Sequence, residues 1–252
     1  MNTEIWTWLL YIGLGWITGF LNTVAGGGTL ISMPVLIFMG IPGSVANATI
    51  RVAILAQNIS AATGFHSKGV RLPFPYSWWL AGLSLAGGWI GANIAMGVPD
   101  HLFNRIHAII LVLVVLSIVF EKKNNTDSGE EKFSMKRQVL SGTGFFLLGI
   151  YGGFIQAGIG FLVIAMLTHI HKFPLSKTNY IKVFAAILYT GIAVLAFAIG
   201  GRIIWEIGLV LAIGNAAGAW FGSRWSVSAG DKWVKRILVV AVMALVVRLW
   251  FF

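Results

Sequence analysis

The sequence predicts an all-α polytopic membrane protein built as two inverted repeats of about five segments each, roughly eight to ten transmembrane or re-entrant helices. Three observations predict it. Hydrophobic residues make up 58% of the 252 and charged residues only 10%, against ~25% charged in a soluble domain. The apolar material recurs along the whole length, with a mean hydropathy of +0.85, so the chain reads as one bundle rather than a soluble domain with an anchor. The third observation is an internal duplication. A shift of 132 positions without gaps lays Ala25 on Ala157, Gly26 on Gly158, Gly28 on Gly160, Pro42 on Pro174, Ser44 on Ser176 and Asn47 on Asn179. One residue less matches AGGWIGA (86–92) with AGAWFGS (217–223), and Asp100 and Arg105 with Asp231 and Arg236.

Taken in order, the first segment runs from about Ile5 to Ala25. Its start, MNTEIWTWLL, has no basic region of the kind that opens a cleaved signal, so this segment is expected to be retained. The second, Thr29–Met39, is too short to cross alone at ~20 residues per span. The third, from about Ser44 to Phe65, carries Arg51, Gln57 and Asn58. Pro73 and Pro75 then mark a turn before Tyr76–Met96, where AGGWIGA permits close helix contact and Trp78 and Trp79 suit a membrane interface. Phe103–Phe120 closes the first repeat, residues 1–120. Residues 121–137, EKKNNTDSGEEKFSMKR, are hydrophilic and read as a cytoplasmic linker. The second repeat, 138–252, follows the same scheme with segments near 139–157, 161–170, 176–199, 203–225 and 233–252.

Basic residues set the expected orientation. With ten segments alternating sides and the linker inside, the inside loops hold Lys68, Arg71, Lys122, Lys123, Lys132, Lys136, Arg137, Lys172, Lys177, Arg224, Lys232, Lys235 and Arg236, thirteen of the 18. That bias accounts for the net charge of +10 without nucleic acid as a partner; the lipid bilayer is the partner it implies. An odd number of segments per half makes the halves inverted, and the parity survives if each short segment and its predecessor form a re-entrant hairpin. Zero cysteines exclude disulfides, thiolate metal sites and cysteine nucleophiles.

The chemistry concentrates where the helices are expected to break. Gly26, Gly27 and Gly28 interrupt an apolar run, and Gly158 and Gly160 do so in the second copy. In lipid such a break is tolerated only where protein buries it or it lines a cavity, and transporters place substrate there. The expectation is glycine-broken helices at the repeat interface, with close packing as the simpler alternative use of the glycines. The eight acidic residues all fall in loops or near segment ends, yet Arg51 and Lys182 lie within matching segments. Charge inside a membrane costs ~2.5–3.5 kcal/mol or more and marks function, unless the side chain snorkels to an interface. Two buried cations without buried carboxylates ask for an anionic ligand, helped by helix N-termini after the breaks. Asn47 and Asn179, beside Thr49 and Thr178, would orient its oxygens or bond between helices, and Gln57, Gln156 and Tyr189 would line a pathway or do the same. His169 and His171 have no acidic or thiol companion, so neither a metal nor a cofactor is expected; His66 reads as a loop-end residue, and proton coupling stays open.

The stretch AGGGTLISMPVL (25–36), with Gly-Ile-Pro at 40–42 and ANAT at 46–49, resembles the TauE/SafE sulfite exporter family. A weaker copy stands in QAGIGFLVIAML (156–167), Phe-Pro at 173–174 and KTN at 177–179. The resemblance covers essentially the whole chain. It implies a multi-pass permease of the bacterial inner membrane that exports small sulfur-containing anions, organosulfonates or carboxylates, and fewer full spans than ten segments. The expected function is therefore a secondary anion transporter working by alternating access. The rival readings are an anion channel and a non-transporting membrane assembly subunit. An enzyme is not expected, because GxxxxGK[ST], GxSxG and HExxH are all missing. A homo-oligomer stays open.

Overall fold

The computed structural model describes the backbone of residues 5–119 and 132–251, with side chains except at 108, 111–119 and 230–251. These residues form helices α1 (Ile5–Val24), α2 (Thr29–Phe38), α3 (Gly43–Ser67), α4 (Tyr76–Gly97), α5 (Asp100–Val119), α6 (Met135–Phe154), α7 (Ile159–His171), α8 (Leu175–Ile199) and α9 (Trp205–Phe251). Prolines set the starts. Pro42, Pro75 and Pro174 stand immediately before α3, α4 and α8, where a missing N–H costs nothing. Asp100, first residue of α5, also accepts from the backbone N–H of Ser44 at 3.2 Å, placing a carboxylate at the positive end of α3.

Helices α4 and α8 are long and apolar enough to cross a membrane. Helices α2 and α7 are apolar but only 10 and 13 residues, about half the ~30 Å hydrocarbon core. The packing exchanges partners between the two halves of the chain: α1 lies against α9 and α6 against α4, while α3 also packs on α9 and α8 on α4. Small residues make these contacts close. A Cβ on Gly88 of α4 would stand 2.8 Å from that of Tyr189 on α8, and Gly15 of α1 would meet the carbonyl of Leu211 on α9 at 2.6 Å. Outward faces are apolar, with Trp6, Leu10 and Ile17 of α1 and Trp78 and Trp79 of α4 exposed.

The structure departs from the sequence expectation in two places. The last two segments, expected at 203–225 and 233–252 with a basic loop between them, are one helix of 47 residues, about 70 Å long. Residues 226–232, SVSAGDK, hold no proline and one glycine, so nothing ends the helix, and Arg224 falls inside it. The second departure is in register. Helix ends around the breaks correspond at a spacing of 130 (Val24 with Phe154, Thr29 with Ile159), not 132. Helix α7 is longer than α2, and the spacing reaches 132 only at α3 and α8. The ungapped shift is therefore two residues out at the glycines. The hydrophilic linker expected over 121–137 lies outside the described residues as far as 131; from Met135 it is already α6.

Candidate anion site between the helix breaks

Each break has the same backbone form. The N–H groups of Ala25 and Gly26 both reach the carbonyl of Leu21, at 2.8 and 3.2 Å. Those of Ile155 and Gln156 reach Tyr151 in the same way, at 2.9 and 3.2 Å. This pair of hydrogen bonds to one carbonyl of the last turn ends a helix through a left-handed residue. Gly26 takes that conformation at φ +90°; in the second break its place is held by Gln156 at φ +64°. A side chain there costs ~1–2 kcal/mol, and such strain collects at functional positions. The spatial partner of Gly26 is Gly160: the two backbones touch, leaving no room for a Cβ on either.

The cations do not face solvent or lipid. Arg51 is fully buried; its Nη1 donates to the carbonyl of Gly152 at 2.6 Å and its Nη2 to Asn47 Oδ1 at 3.3 Å, beneath the ring of Phe197. Asn47 Nδ2 donates to the carbonyl of Phe154 at 2.9 Å. On α8 the arrangement recurs against α1. Lys182 Nζ donates to the carbonyls of Asn22 and Thr23, each at 3.1 Å, and to Asn179 Oδ1 at 2.7 Å, while Asn179 Nδ2 reaches the carbonyl of Val24 at 3.3 Å. Each Asn–cation pair thus grips the C-terminal turn of the broken helix in the other half. Those final carbonyls have no helical partner and carry the negative end of the dipole, which stabilises a cation without any carboxylate. The one-residue offset between Arg51 and Lys182 follows from geometry. Their asparagines precede them by four and by three residues, and both spacings share a helix face.

At the N-terminal ends of α2 and α7 lies a cavity of about 20 Å³, lined by Asn22, Thr29, Asn58, Gln156, Ile159, Gly160, Lys182, Ala186 and Tyr189. Thr29 opens α2 and Ile159 and Gly160 open α7, so two positive helix ends converge beside the Lys182 ammonium. Thr29 Oγ1 accepts from the N–H of Gly158 at 3.4 Å, tying one break to the other. Gln156 Nε2 donates to Thr190 at 3.1 Å, while its Oε1 and the Nδ2 of Asn58 are buried with no partner among the described residues. The space holds about one water, with those two groups to receive it, and is too small for a sulfur oxyanion.

Of the residues singled out by sequence, Gln156, Gly160, Lys182 and Tyr189 meet at this cavity. Gly28 precedes α2, Gly27 lies against the ring of Phe161, and Gly158 precedes α7. Arg51 and Asn47 sit on the α6 end, outside the cavity lining; a Cβ on Gly152, whose carbonyl Arg51 holds, would come within 3.0 Å of the Tyr189 ring. Thr49 accepts from the N–H of Ile204 at 3.0 Å, and Thr178 donates to the carbonyl of Phe173 at 3.5 Å, so both serve helix starts. Gln57 is buried but its neighbour Asn58 is the one that reaches the cavity. Asn22, Thr29 and Asn58 were not chosen from sequence. Thr29, the first residue after three glycines, carried the clearest signal.

Known proteins resemble the chain over nearly its whole length. The chain is 29% identical over 92% of its length to a probable membrane transporter protein, ORF9, of a Sinorhizobium species, covering 88% of that protein. It is 28% identical over 90% to the probable membrane transporter protein YfcA of Escherichia coli K12, covering 84% of it, and 24% over 90% to a probable membrane transporter protein of Haemophilus influenzae, covering 88%. No solved structure matches it. The sulfite exporter TauE/SafE family model matches residues 11–249, nearly the whole chain, which belongs to that family of membrane proteins.

Proposed function

We propose that the protein is a multi-pass secondary transporter of the bacterial inner membrane that exports a small anion, such as sulfite, an organosulfonate or a related sulfur oxyanion or carboxylate. Two halves of inverted orientation would alternate access to a site between them. The observation that carries the reading is the convergence of the α2 and α7 N-termini and Lys182 Nζ on one buried polar cavity. The reciprocal packing of α1 on α9 and α6 on α4, with twin helix ends at Gly26 and Gln156, supports two related halves.

In this reading the cavity as observed is closed down, too narrow for the anion it would carry. An incoming anion widens the cavity by drawing Lys182 from the carbonyls of Asn22 and Thr23, and Arg51 from that of Gly152, since a full negative charge outcompetes partial ones. Each cation released also frees the end of a broken helix in the opposite half. Anion binding and helix movement are then one event, which is what alternating access needs. Efflux of one negative charge gains ~2.3 kcal/mol per 100 mV of inside-negative potential, so no nucleotide is required.

The test is thermal stability of the purified protein against sulfur oxyanions, sulfonates and carboxylates matched for ionic strength. An anion at 100 times its dissociation constant adds ~2.7 kcal/mol. The expected result is a shift for one anion class that vanishes in Lys182→Ala and Arg51→Ala, with uphill flux of the same anion in proteoliposomes, which a channel cannot sustain. No shift with any anion overturns the site.

A further inference from the structure

A second cavity, of about 560 Å³, opens where α4 and α6 begin, walled chiefly by Pro73, Phe74, Tyr76, Trp79, Phe133 and Met135. Its size is within the ~300–1,000 Å³ of ligand pockets, and Phe74 and Met135 stand 78% and 76% exposed at its mouth. The walls are apolar but the surroundings are not. Arg71, Lys132 and Lys136 are exposed within two residues of wall residues along the chain, and Lys68 and Lys172 are exposed on the adjoining turns. The acidic residues with described side chains, Asp100 and Glu206, start α5 and α9. Both follow the far ends of helices that begin at this cavity's end of the bundle, about 33 Å along α4.

We propose that this groove is a binding site for an anionic phospholipid, with an acyl chain along the aromatic walls and the phosphate against Arg71 and Lys136. Charge complementarity selects that occupant. A small soluble anion would gain nothing from the aromatic walls, and a zwitterionic lipid little from a rim whose described charges are all basic. The linker sequence EKKNNTDSGEE (121–131) is hydrophilic throughout and does not suit an apolar groove. The groove also has a mechanical connection. Tyr76, whose ring forms part of the wall, makes hydrogen bonds of 2.6 Å to Ser141 Oγ and 2.7 Å to His171 Nε2. His171 is the last residue of α7, so a lipid packed on Tyr76 braces one of the two short helices.

The experiment is native mass spectrometry and thermal unfolding of the full chain, delipidated and returned to phosphatidylcholine nanodiscs with increasing phosphatidylglycerol. Phosphatidylglycerol is expected to stay bound through delipidation and to raise the unfolding temperature. The double variant Arg71→Gln/Lys136→Gln should weaken its binding roughly thirtyfold, at about 1 kcal/mol per charge near the membrane surface. Both side chains are exposed, so the variant folds, and Arg202→Gln at the far end serves as the control. Equal retention of the two lipids, unchanged binding in the double variant, or the same shift from soluble glycerol phosphate would each overturn the proposal. None of these readouts depends on transport.

Discussion

A Cβ on Gly26 would lie 2.6 Å from the carbonyl carbon of Gly160, so the two helix breaks are packed backbone to backbone. Gly26→Ala therefore meets two penalties, a left-handed φ of +90° and a methyl with nowhere to go. The strain is ~1–2 kcal/mol and the overpacking ~1–3. A drop in unfolding temperature of that size, with loss of transport, is the expected result. Gly13→Ala, inside α1 where a Cβ meets nothing within 4 Å, should keep transport and lose no stability, gaining up to ~1 kcal/mol from chain entropy.

Gln156 separates stability from activity. Gln156→Gly relieves ~1–2 kcal/mol of left-handed strain, but loses the Thr190 hydrogen bond at ~1 and adds chain entropy at ~0.5–1. The terms nearly cancel, so stability should stay within about 1 kcal/mol of the parent. Gln156→Ala keeps the strain, loses the bond and should be less stable. If the amide at the cavity contacts substrate, both variants lose anion-induced stabilisation. Retained anion response in Gln156→Gly would make the residue a mere helix end.

Helix starts were legible because proline and glycine leave a mark in sequence; Pro42 and Pro174 place α3 and α8 to within a residue. The buried cations were legible as charges in apolar runs. Their partners were not, because the carbonyls of Gly152, Asn22 and Thr23 are backbone atoms that every residue carries. The equivalence of Gly26 with Gln156 was hidden for a related reason. A left-handed helix end is filled by glycine after α1 and by glutamine after α6, and α7 has three residues more than α2. Residue identity could not show that, whereas hydrogen bonds to Leu21 and Tyr151 do.

Lys182 has three donors and all three are used, two by carbonyls of α1 and one by Asn179. Lys182→Met keeps the apolar stem and leaves those acceptors without a donor, at ~1–3 kcal/mol. A cycle of Lys182→Met with Asn179→Ala should show a coupling of ~0.5–3 kcal/mol, measured by thermal or denaturant unfolding. Independent effects would mean that the grip on α1 is not a single unit.

Thr49 tests the boundary of the proposed site. Its hydroxyl accepts from the N–H of Ile204, just before α9, and it is not in the cavity lining. Thr49→Val is close in shape and orphans that N–H, which should cost ~1–3 kcal/mol of stability. The anion order in thermal-shift titrations should be unchanged, since no group at the Lys182 cavity is touched. Lys182→Met should do the reverse to the titration, abolishing the anion response. A changed anion order in Thr49→Val would move the site along α3 toward Arg51, two residues away and held by the carbonyl of Gly152.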